Sequence, residues 1–536
     1  MYASVLFAIF LSGMGAHLSY FIHGEHHDQG PHLALMVPVS WTASDLVLST
    51  FLPSLNAATA TSAIFTSFAC GLFSSMAIYR LYFHPLRAFP GPRRAAVSKL
   101  WHSSKLSNLQ NQKMLENFRL EFGDIVRTGP NEVVVMKAEA FPAVHGPGSK
   151  CRKAPWYDML QKERSIHTTR SPQLHQQRRK IWDQGLSTKA LRIYQERVAE
   201  HVTSLSNNIR GRLGQSRNCT ELFYFFGFDV MGDTAFGKDF NMLKSNIQHP
   251  IVEIMRSGTY IMGRLTPVPW LVTVLASLPG VNKNFERLES YAEEHIYALS
   301  KESQGGEGIM SKLIDAARSP SDPQKIEMYH LGADAMVVII AGSDTVSIAS
   351  SFMFYHLALN TEHVAKLRTE LEGVDIRDNR ALQSLVHLNA LINETLRLYP
   401  PVITGPLRQT PPEGLQIGET FIPGNVTIST PLWILGRLES SYERASEFLP
   451  ERWYKDSTMI KDARGFAPFL SGVYSCPGKQ LALIELRLLT AELVSRYDFR
   501  FADESNKHAT VSNIKDCFTA IPGPLELVFV ERAAHI

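Results

Sequence analysis

The decisive stretch of this chain is Phe469-Leu-Ser-Gly472-Val-Tyr-Ser-Cys476-Pro-Gly478, because it presents one cysteine as an isolated ligand. The small residues predict a sharply bent loop whose backbone stays close to the sulfur. The helix-like run that begins at Lys479 would place its amino terminus near that sulfur and favour the thiolate. Zinc fits poorly, since no second Cys or His stands at ligand spacing nearby. A single axial thiolate suits heme iron instead; the alternative is a buried structural cysteine that precedes a helix.

A second informative segment is Ala341-Gly342-Ser-Asp344-Thr345, which lies inside the apolar run 336–350. An acid beside an alcohol in an apolar helix is costly to bury without a purpose or a partner. We expect Ala341 and Gly342 to leave room beside the helix, where a small molecule such as O2 can lie over a metal. The alternative is structural: Thr345 bonds back to a carbonyl one turn earlier, and Asp344 pairs with a distant arginine.

The third segment, residues 388–401, has the apolar spacing of an amphipathic helix that Pro400 and Pro401 end. Within it, Glu394 and Arg397 are three residues apart, so they share one face and can pair. Further along the chain, Arg452 offers a second guanidinium for the same carboxylate. A buried glutamate between two arginines fixes the local geometry. We therefore predict a structural role in the core for Glu394, Arg397 and Arg452.

The order of these segments resembles the cytochrome P450 family over most of the chain. The family pattern consists of A-G-x-D-T, E-x-x-R, P-E-R and F-x-x-G-x-x-x-C-x-G, and all four occur here in that order. Further similarity to the microsomal, filamentous-fungal branch lies in residues 79–86, 89–92 and 126–132. The resemblance implies a mainly α-helical, triangular P450 fold with small β-sheets. It also implies heme b, iron protoporphyrin IX, bound through Cys476 in a loop shaped by Phe469, Gly472 and Gly478.

Two positions depart from the commoner family pattern. Tyr474 stands where many members carry an Arg or His that pairs with a heme propionate, and a phenol brings no charge at neutral pH. The resemblance then assigns the propionates to His175, Arg179 and Arg408. For His175 the alternative is an ordinary surface histidine. Gly436 lies in a segment where many members read His-Arg-Asp, a departure that the sequence alone does not explain.

Composition supports one large catalytic domain with an anchor. The chain has 536 residues, 45% of them hydrophobic, and a formal net charge of +3, which gives no reason to expect nucleic acid as a partner. Its five cysteines are scattered, as in a reduced, cytosol-facing domain. The expected division is a membrane anchor over residues 1–85 and a heme-thiolate monooxygenase domain over residues 86–536.

The anchor contains two or three hydrophobic segments. Residues 2–22 and 57–79 carry no formal charge and are long enough to cross a bilayer. Basic residues that begin at Arg80 predict a cytosolic carboxyl end for the later segment. Residues 33–58 are apolar but contain Asp45 and two prolines, so their spanning stays open. A cleaved signal peptide is the alternative for the first segment. We expect an endoplasmic reticulum membrane protein whose catalytic domain faces the cytosol.

Taken together, these features predict a monooxygenase that inserts one oxygen atom from O2 into a lipophilic small molecule. Asp344 and Thr345 are expected to deliver the protons that oxygen activation requires. No G-x-G-x-x-G follows a strand, so the chain shows no nicotinamide site of its own. The resemblance therefore implies NADPH–cytochrome P450 reductase as the electron donor, and it makes a fungal secondary metabolite the expected substrate. Residues 153–169 and 518–521 correspond to substrate-contacting regions of the family.

Two other functions remain open from the sequence. One is a heme-thiolate isomerase or dehydratase that needs no external electrons, and Asp344 with Thr345 argues against it. The other is a non-catalytic heme sensor, which the intact pair beside the ligand loop also disfavours.

Overall fold

The computed structural model describes residues 2–53, 56–159, 165–302, 306–318 and 328–532. Helices predominate and the sheets are small, which confirms the predicted fold class. The first helices are α1 (Tyr2–Ala16), α2 (Gly30–Phe51) and α3 (Ala57–Ile78), and π turns extend α1 through His17–Phe21 and α3 through Tyr79–Phe83. The other helices are α4 (Arg93–Val97), α5 (Lys99–Lys105), α6 (Asn111–Phe122), α7 (Ala140–His145), α8 (Pro172–Gly185), α9 (Thr188–Arg210), α10 (Cys219–Phe236), α11 (Met242–Ser245), α12 (Pro250–Leu265), α13 (Pro269–Ala276), α14 (Lys283–Glu302), α15 (Ile309–Ala317), α16 (Met328–Leu359), α17 (Thr361–Leu371), α18 (Asn379–Ser384), α19 (Val386–Leu398), α20 (Leu432–Leu435), α21 (Lys479–Arg496) and α22 (Ala509–Ser512).

Four small sheets complete the architecture. The strands are β1 (Ile125–Gly129), β2 (Glu132–Val135), β3 (Arg152–Lys153), β4 (Ser216–Asn218), β5 (Arg408–Gln409), β6 (Leu415–Ile417), β7 (Thr420–Ile422), β8 (Thr427–Ser429), β9 (Tyr497–Phe501), β10 (Lys515–Cys517), β11 (Thr519–Ile521) and β12 (Glu526–Glu531). The largest sheet has the order β1-β2-β8-β5-β3, and only its β2–β8 pairing is parallel. Lys153 pairs with Arg408 in this sheet, which brings two cationic side chains to one edge.

Three N-terminal helical segments are long and apolar enough to cross a membrane: Ala3–Phe21, His27–Phe51 and Ala57–Phe83. The middle segment begins and ends earlier than residues 33–58, so those predicted bounds are wrong. A fourth helix of this length and composition, His330–Leu359 within α16, is mostly buried in the protein and belongs to its core.

Glycines let α1 and α3 pack closely. A Cβ at Gly13 would lie 2.2 Å from the Phe68 carbonyl oxygen, and one at Gly71 would lie 2.0 Å from the Phe10 carbonyl oxygen. Small residues at the contact are how membrane helices bring their backbones together, since lipid supplies no hydrophobic drive between them. The two helices therefore form a tight pair.

The loop between α1 and α2 is fastened to the rest of the chain by four side chains, here called the ionic clamp: Glu25, His27, Asp158 and Arg170. Arg170 binds Glu25 through two hydrogen bonds of 2.8 and 2.9 Å and contacts Asp158 Oδ2 at 2.5 Å. His27 Nε2 lies 2.8 Å from the same Asp158 oxygen. Helix α13 packs against α2 beside the clamp. The N-terminal helices are thus joined at this loop to the chain around residues 158–170.

Helix α16 runs through the main core. It packs against α10, α14, α19 and α21, which surround it on several sides. Its apolar residues belong to the large core cluster that also contains residues of α9 and α10. The polar pair Asp344 and Thr345 is therefore carried by a helix that is enclosed on several sides.

Glu394 on α19 lies fully buried between two arginines. Arg397 Nε and Nη2 donate to its two carboxylate oxygens at 2.9 and 2.7 Å, and Arg452 Nε donates at 3.0 Å. Trp453 Nε1 donates at 2.9 Å, and the Leu449 N–H at 2.7 Å. The predicted ion pairs are present.

The two arginines extend this network into the following segment. Arg397 also donates to the carbonyl oxygens of Gly436, Ala445 and Glu447, and Arg452 donates to that of Glu443. Main chain from residues 436–447 is therefore held in place by side chains from two distant parts of the sequence.

The structure supplies the missing reason for Gly436. A Cβ there would lie 2.1 Å from the Arg397 carbonyl oxygen, so only glycine allows this close approach. The next residue, Arg437, places its guanidinium 3.4 Å from the Trp433 ring centroid and donates to the Leu398 carbonyl oxygen. Close packing against the Arg397 backbone therefore explains the glycine at this position.

Replacing Glu394 by Gln should strongly destabilise the fold. The amide keeps the shape but leaves two buried guanidinium groups without their counter-charge, a loss of about 3–5 kcal/mol. Urea unfolding followed by circular dichroism in detergent measures it. The control is Glu447→Gln, which removes the carboxylate of an exposed pair with Arg444 and should leave the unfolding midpoint almost unchanged. Equal midpoints for the two variants would contradict the structural role of Glu394.

Candidate active site

The loop before α21 is closed by its own backbone. The Cys476 N–H donates to the Phe469 carbonyl oxygen at 2.8 Å. Gly472 has φ of +64°, and a Cβ there would lie 2.7 Å from the carbonyl oxygens of His145 and Gly146. Glycine is thus required at position 472 for both conformation and space. The sequence predicted this bent loop correctly.

The Cys476 side chain is accessible, although burial by the surrounding protein raises the pKa of its thiol. The N–H groups of Gly478 and Lys479 at the start of α21, together with the Arg179 guanidinium, act in the opposite direction and favour the thiolate. An accessible sulfur that lies deep in the protein and receives hydrogen bonds is suited to bind a metal. The exposed side chain does not fit the alternative of a buried structural cysteine.

Cationic side chains surround the ring of Tyr474, where many relatives carry a charge. The Arg408 guanidinium lies 4.7 Å and Lys153 Nζ lies 5.1 Å from the ring centroid. The His175 ring meets it edge to face at 4.7 Å. Tyr474 therefore supports neighbouring cations on its aromatic face instead of supplying a charge itself.

The predicted helical pair His175 and Arg179 divides between two places. His175 is buried, so the surface alternative is wrong, and burial with the nearby charge of Lys153 lowers its pKa to about 3. Arg179 Nη1 donates to the Ser475 carbonyl oxygen at 2.5 Å, and its Nε pairs with Asp183. Arg179 thus reaches the cysteine loop, whereas His175 lies with Lys153 and Arg408 around the Tyr474 ring.

The group formed by Lys153, His175 and Arg408 fits an anionic ligand. His175 Nδ1 and Arg408 Nε are buried and have no hydrogen-bond partner among the described residues. Burial and the charges of Arg408 and Arg178 hold the pKa of Lys153 well below its usual range. Cations that oppose one another in this way are stabilised by an anion between them. The residues present therefore suit carboxylates such as heme propionates.

One strip of α16 is open although the helix is otherwise enclosed. Val337 and Thr345 are half-buried and Ala341 is exposed, at one-turn intervals, while most of their neighbours are buried. Thr345 Oγ1 donates to the Ala341 carbonyl oxygen at 2.8 Å, as the structural alternative predicted. Gly342 differs from expectation, because a Cβ there would lie 2.4 Å from Met231 Sδ. Its small size admits α10, and Gly342 itself is half-buried whereas Ala341 is exposed.

Asp344 is buried beside the open strip. Burial raises its pKa to about 7, and the positive charge of Arg256 together with a 3.5 Å hydrogen bond from Thr519 Oγ1 limits the rise. The Asp344 carboxyl is therefore poised to change protonation near neutral pH. Arg256, on α12, acts on Asp344 through its charge, and the described residues show no ion pair of Asp344 with the distant arginine that the structural alternative predicted.

The two regions predicted to contact substrate meet in space. Phe518 stacks on Trp156 with ring centroids 4.9 Å apart, and His167 meets the Phe518 ring at 5.5 Å. Residues 160–164 of the first region lie outside the described residues. Asp334 of α16 is buried and accepts hydrogen bonds from the Ile166 N–H at 2.7 Å and Trp182 Nε1 at 3.2 Å. Asp334 thus anchors this loop to α16.

Two charged residues beside the site, Lys153 and Arg256, are not predicted from the sequence. Neither belongs to a motif, and each meets its partners only through long-range contacts: Lys153 through the β3–β5 pairing and Arg256 through α12. The apolar, aromatic context of Lys153 (Ala154, Pro155, Trp156 and Tyr157) was the one available signal that its amine is buried.

The comparison with protein families gives one result over most of the chain: the model described as Cytochrome P450 matches residues 90–529. Among curated proteins, the cytochrome P450 monooxygenase notG' of Aspergillus versicolor is 36% identical over 95% of this chain and 94% of its own length. Tryprostatin B 6-hydroxylase of Aspergillus fumigatus is 35% identical over 92% of this chain and 90% of its own length.

Solved structures agree on the fold. Retinoic acid bound cyanobacterial CYP120A1 superposes with a TM-score of 0.67 at 20% identity, covering 80% of this chain and 96% of that chain. The cytochrome P450DA heme domain mutant has the same TM-score at 16% identity, over 79% of this chain and 94% of that one.

Replacing Asp344 by Asn should stabilise the protein in a pH-dependent way. The raised pKa means that ionising the buried carboxyl opposes folding, and this penalty grows from about pH 4, where the unfolded side chain ionises, to about pH 7. The melting temperature of the variant minus that of the wild type should therefore be small at pH 5 and largest at pH 8. Asp183→Asn, at a more exposed ion pair, is the control. A constant difference between pH 5 and 8 would show that Asp344 does not titrate there.

Proposed function

Because this chain belongs to the cytochrome P450 family, we propose that it inserts one oxygen atom from O2 into a lipophilic secondary metabolite, with electrons from NADPH–cytochrome P450 reductase. Monooxygenase chemistry follows from the family and from relatives that carry that name across nearly the whole chain. The observation that carries the proposal is the accessible Cys476 sulfur at the amino terminus of α21.

Heme is the cofactor that the family implies, and when bound it supplies the iron centre for the activation of O2. We assign Cys476 as the iron ligand. The unpartnered atoms of His175 and Arg408, with Lys153 beside them, are assigned to the propionates. Arg179, bonded to the Ser475 carbonyl oxygen, orients the cysteine loop and adds positive charge near the sulfur.

Thr345 and Asp344 are proposed to take part in proton transfer. Thr345 Oγ1 donates its own proton to the Ala341 carbonyl, so its lone pairs are free to accept a hydrogen bond from the open side of α16. The Asp344 carboxyl holds and releases a proton near neutral pH beside Thr519 and Arg256. Together they can pass protons to the open side of α16, where O2 would bind, while the enclosed helix excludes bulk water.

A lipophilic substrate is supported by the apolar side chains along the open strip, Val337, Ile340 and Ala341, and by the aromatic group of Trp156 and Phe518. One relative is named for its hydroxylation of tryprostatin B, a precedent for a secondary-metabolite substrate in this branch. The electron donor is proposed to dock on the face that carries Lys479, which is exposed next to the cysteine loop.

The ionic clamp supports a membrane topology with three spans. If α1, α2 and α3 all cross, the loop 22–29 lies on the same side as the chain after α3, where the catalytic domain begins. The clamp fits this arrangement, because it joins Glu25 and His27 of that loop to Asp158 and Arg170 and so needs the loop and the later chain on one side. Basic residues after α3 make that side the cytosol. We therefore propose an endoplasmic reticulum protein with a lumenal amino terminus.

Replacing Cys476 by Ser should abolish the carbon monoxide absorption band that is specific for a thiolate ligand, because an alcohol does not replace the thiolate donor. The measurement is a reduced, carbon-monoxide-bound spectrum of purified protein together with its heme content. Cys70→Ser, at an exposed thiol of α3, is the matched control and should keep the band. A wild-type-like band in the Cys476 variant would remove the ligand assignment and the proposed function with it.

Replacing Thr345 by Ala should uncouple NADPH consumption from product formation. Without the hydroxyl, proton delivery to the open side of α16 is less selective, so we expect peroxide to be released. The amount of product formed per NADPH consumed should fall at least about tenfold. Reconstitution with reductase in vesicles, with a substrate found by its heme spin-state shift, measures both. Thr345→Ser keeps a hydroxyl and should retain most coupling. Turnover without reductase and NADPH would instead support the isomerase alternative.

Cysteine labelling tests the topology. In sealed microsomes, His23→Cys in the clamp loop should react with a membrane-impermeant maleimide, whereas Pro53→Cys between α2 and α3 should react only after detergent is added. Wild-type protein gives the background, since Cys151, Cys219 and Cys517 are buried. Labelling of both positions without detergent would exclude the three-span arrangement.

A further inference from the structure

Two buried histidines and a glutamate converge outside the active site. His363 lies on α17, His387 at the start of α19, and Glu451 in the 3₁₀ turn Pro450–Trp453. One ligand atom from each lies within 4.8 Å of the other two, and His363 Nδ1 is 3.9 Å from Glu451 Oε1. From these contacts we propose that His363, His387 and Glu451 form a site for a divalent transition-metal ion of the zinc type.

Both histidines are suited to bind a metal ion. They are 4% and 3% exposed, and in the described part of the chain His363 Nδ1 and His387 Nε2 have no hydrogen-bond partner. Leaving such a nitrogen unsatisfied in the interior costs about 1–3 kcal/mol, and two of them in one place favour a shared partner.

The surroundings also match a metal site. The other ring nitrogen of His387, Nδ1, lies 3.1 Å from Tyr454 Oη, as ligating histidines usually bond their second nitrogen to an oxygen. Two imidazoles and one carboxylate are the ligand set of zinc sites that keep one open position. Calcium and magnesium prefer oxygen ligands only and are excluded on that ground.

The Lys366 ammonium group would compete with the metal ion for the Glu451 carboxylate. Its Nζ lies 2.7 Å from Glu451 Oε1 and also 2.7 Å from Glu362 Oε1, one turn away on the same helix. Because its side chain is 37% exposed, it can turn toward Glu362 and release Glu451. Metal binding should therefore strengthen when the Lys366 charge is removed.

An ion there would connect three elements that support the buried Glu394 network. Glu451 directly precedes Arg452, and His387 lies on the helix that carries Glu394 and Arg397. The site would fasten α17, α19 and the 3₁₀ turn to one another. This role is independent of the proposed monooxygenase activity, and zinc binding can be measured without turnover.

The test is a zinc titration of full-length, heme-loaded protein without a histidine tag, after chelator treatment, in competition with a chromophoric zinc chelator. We expect one zinc per heme in the wild type. His363→Gln, His387→Gln and Glu451→Gln should each weaken binding at least about tenfold. His508→Gln, at an exposed histidine elsewhere, is the control and should bind zinc like the wild type.

Two further measurements keep the proposal falsifiable if a buried variant fails to fold. Lys366→Met changes a partly exposed side chain and should tighten zinc binding, whereas weaker or unchanged binding would count against the site. X-ray absorption of the zinc-loaded wild type should show nitrogen and oxygen ligands at about 2.0–2.2 Å. Absence of stoichiometric zinc, or wild-type affinity in the three ligand variants, would overturn the proposal.

Discussion

The buried carboxylate of Glu394 is the interaction on which the rest of the domain depends. Two guanidinium groups, an indole and a backbone N–H converge on it, and the arginines pass their remaining hydrogen bonds to main-chain carbonyls of residues 436–447. Such a network is stable only when it is complete, because each missing partner leaves a charge in a low-dielectric interior. It therefore fixes the irregular segment between α20 and the cysteine loop in one conformation.

Charge is arranged differently on the two sides of the candidate active site. Around Tyr474, Lys153 and Arg408 are crowded together beside the neutral His175, so an anion lowers the repulsion between the two cations. On α16, the Asp344 carboxyl is buried with only distant positive charge from Arg256 and keeps a proton close to neutral pH. An electropositive cradle and a titratable acid are what a cofactor with two carboxylates and a proton-consuming reaction require.

Local motifs were predictable because their chemistry depends on short spacing. The bent cysteine loop, the Glu394–Arg397 pair and the acid–alcohol pair on α16 all follow from residues at most a few positions apart. Contacts between distant residues were not. Gly342 was expected to border open space but meets Met231 of α10, and the surroundings of Lys153 depend on a strand pairing with Arg408 across more than 250 residues.

The sequence by itself determined the family, the candidate iron ligand and the apolar N-terminal segments, because each is written in consecutive or nearly consecutive residues. Only the tertiary structure decided where the cations gather, why position 436 must be glycine, and how the loop between α1 and α2 meets Asp158 and Arg170. Those outcomes depend on which backbones approach one another in the folded chain. Close packing and long-range charge act through space and have no fixed spacing along the chain.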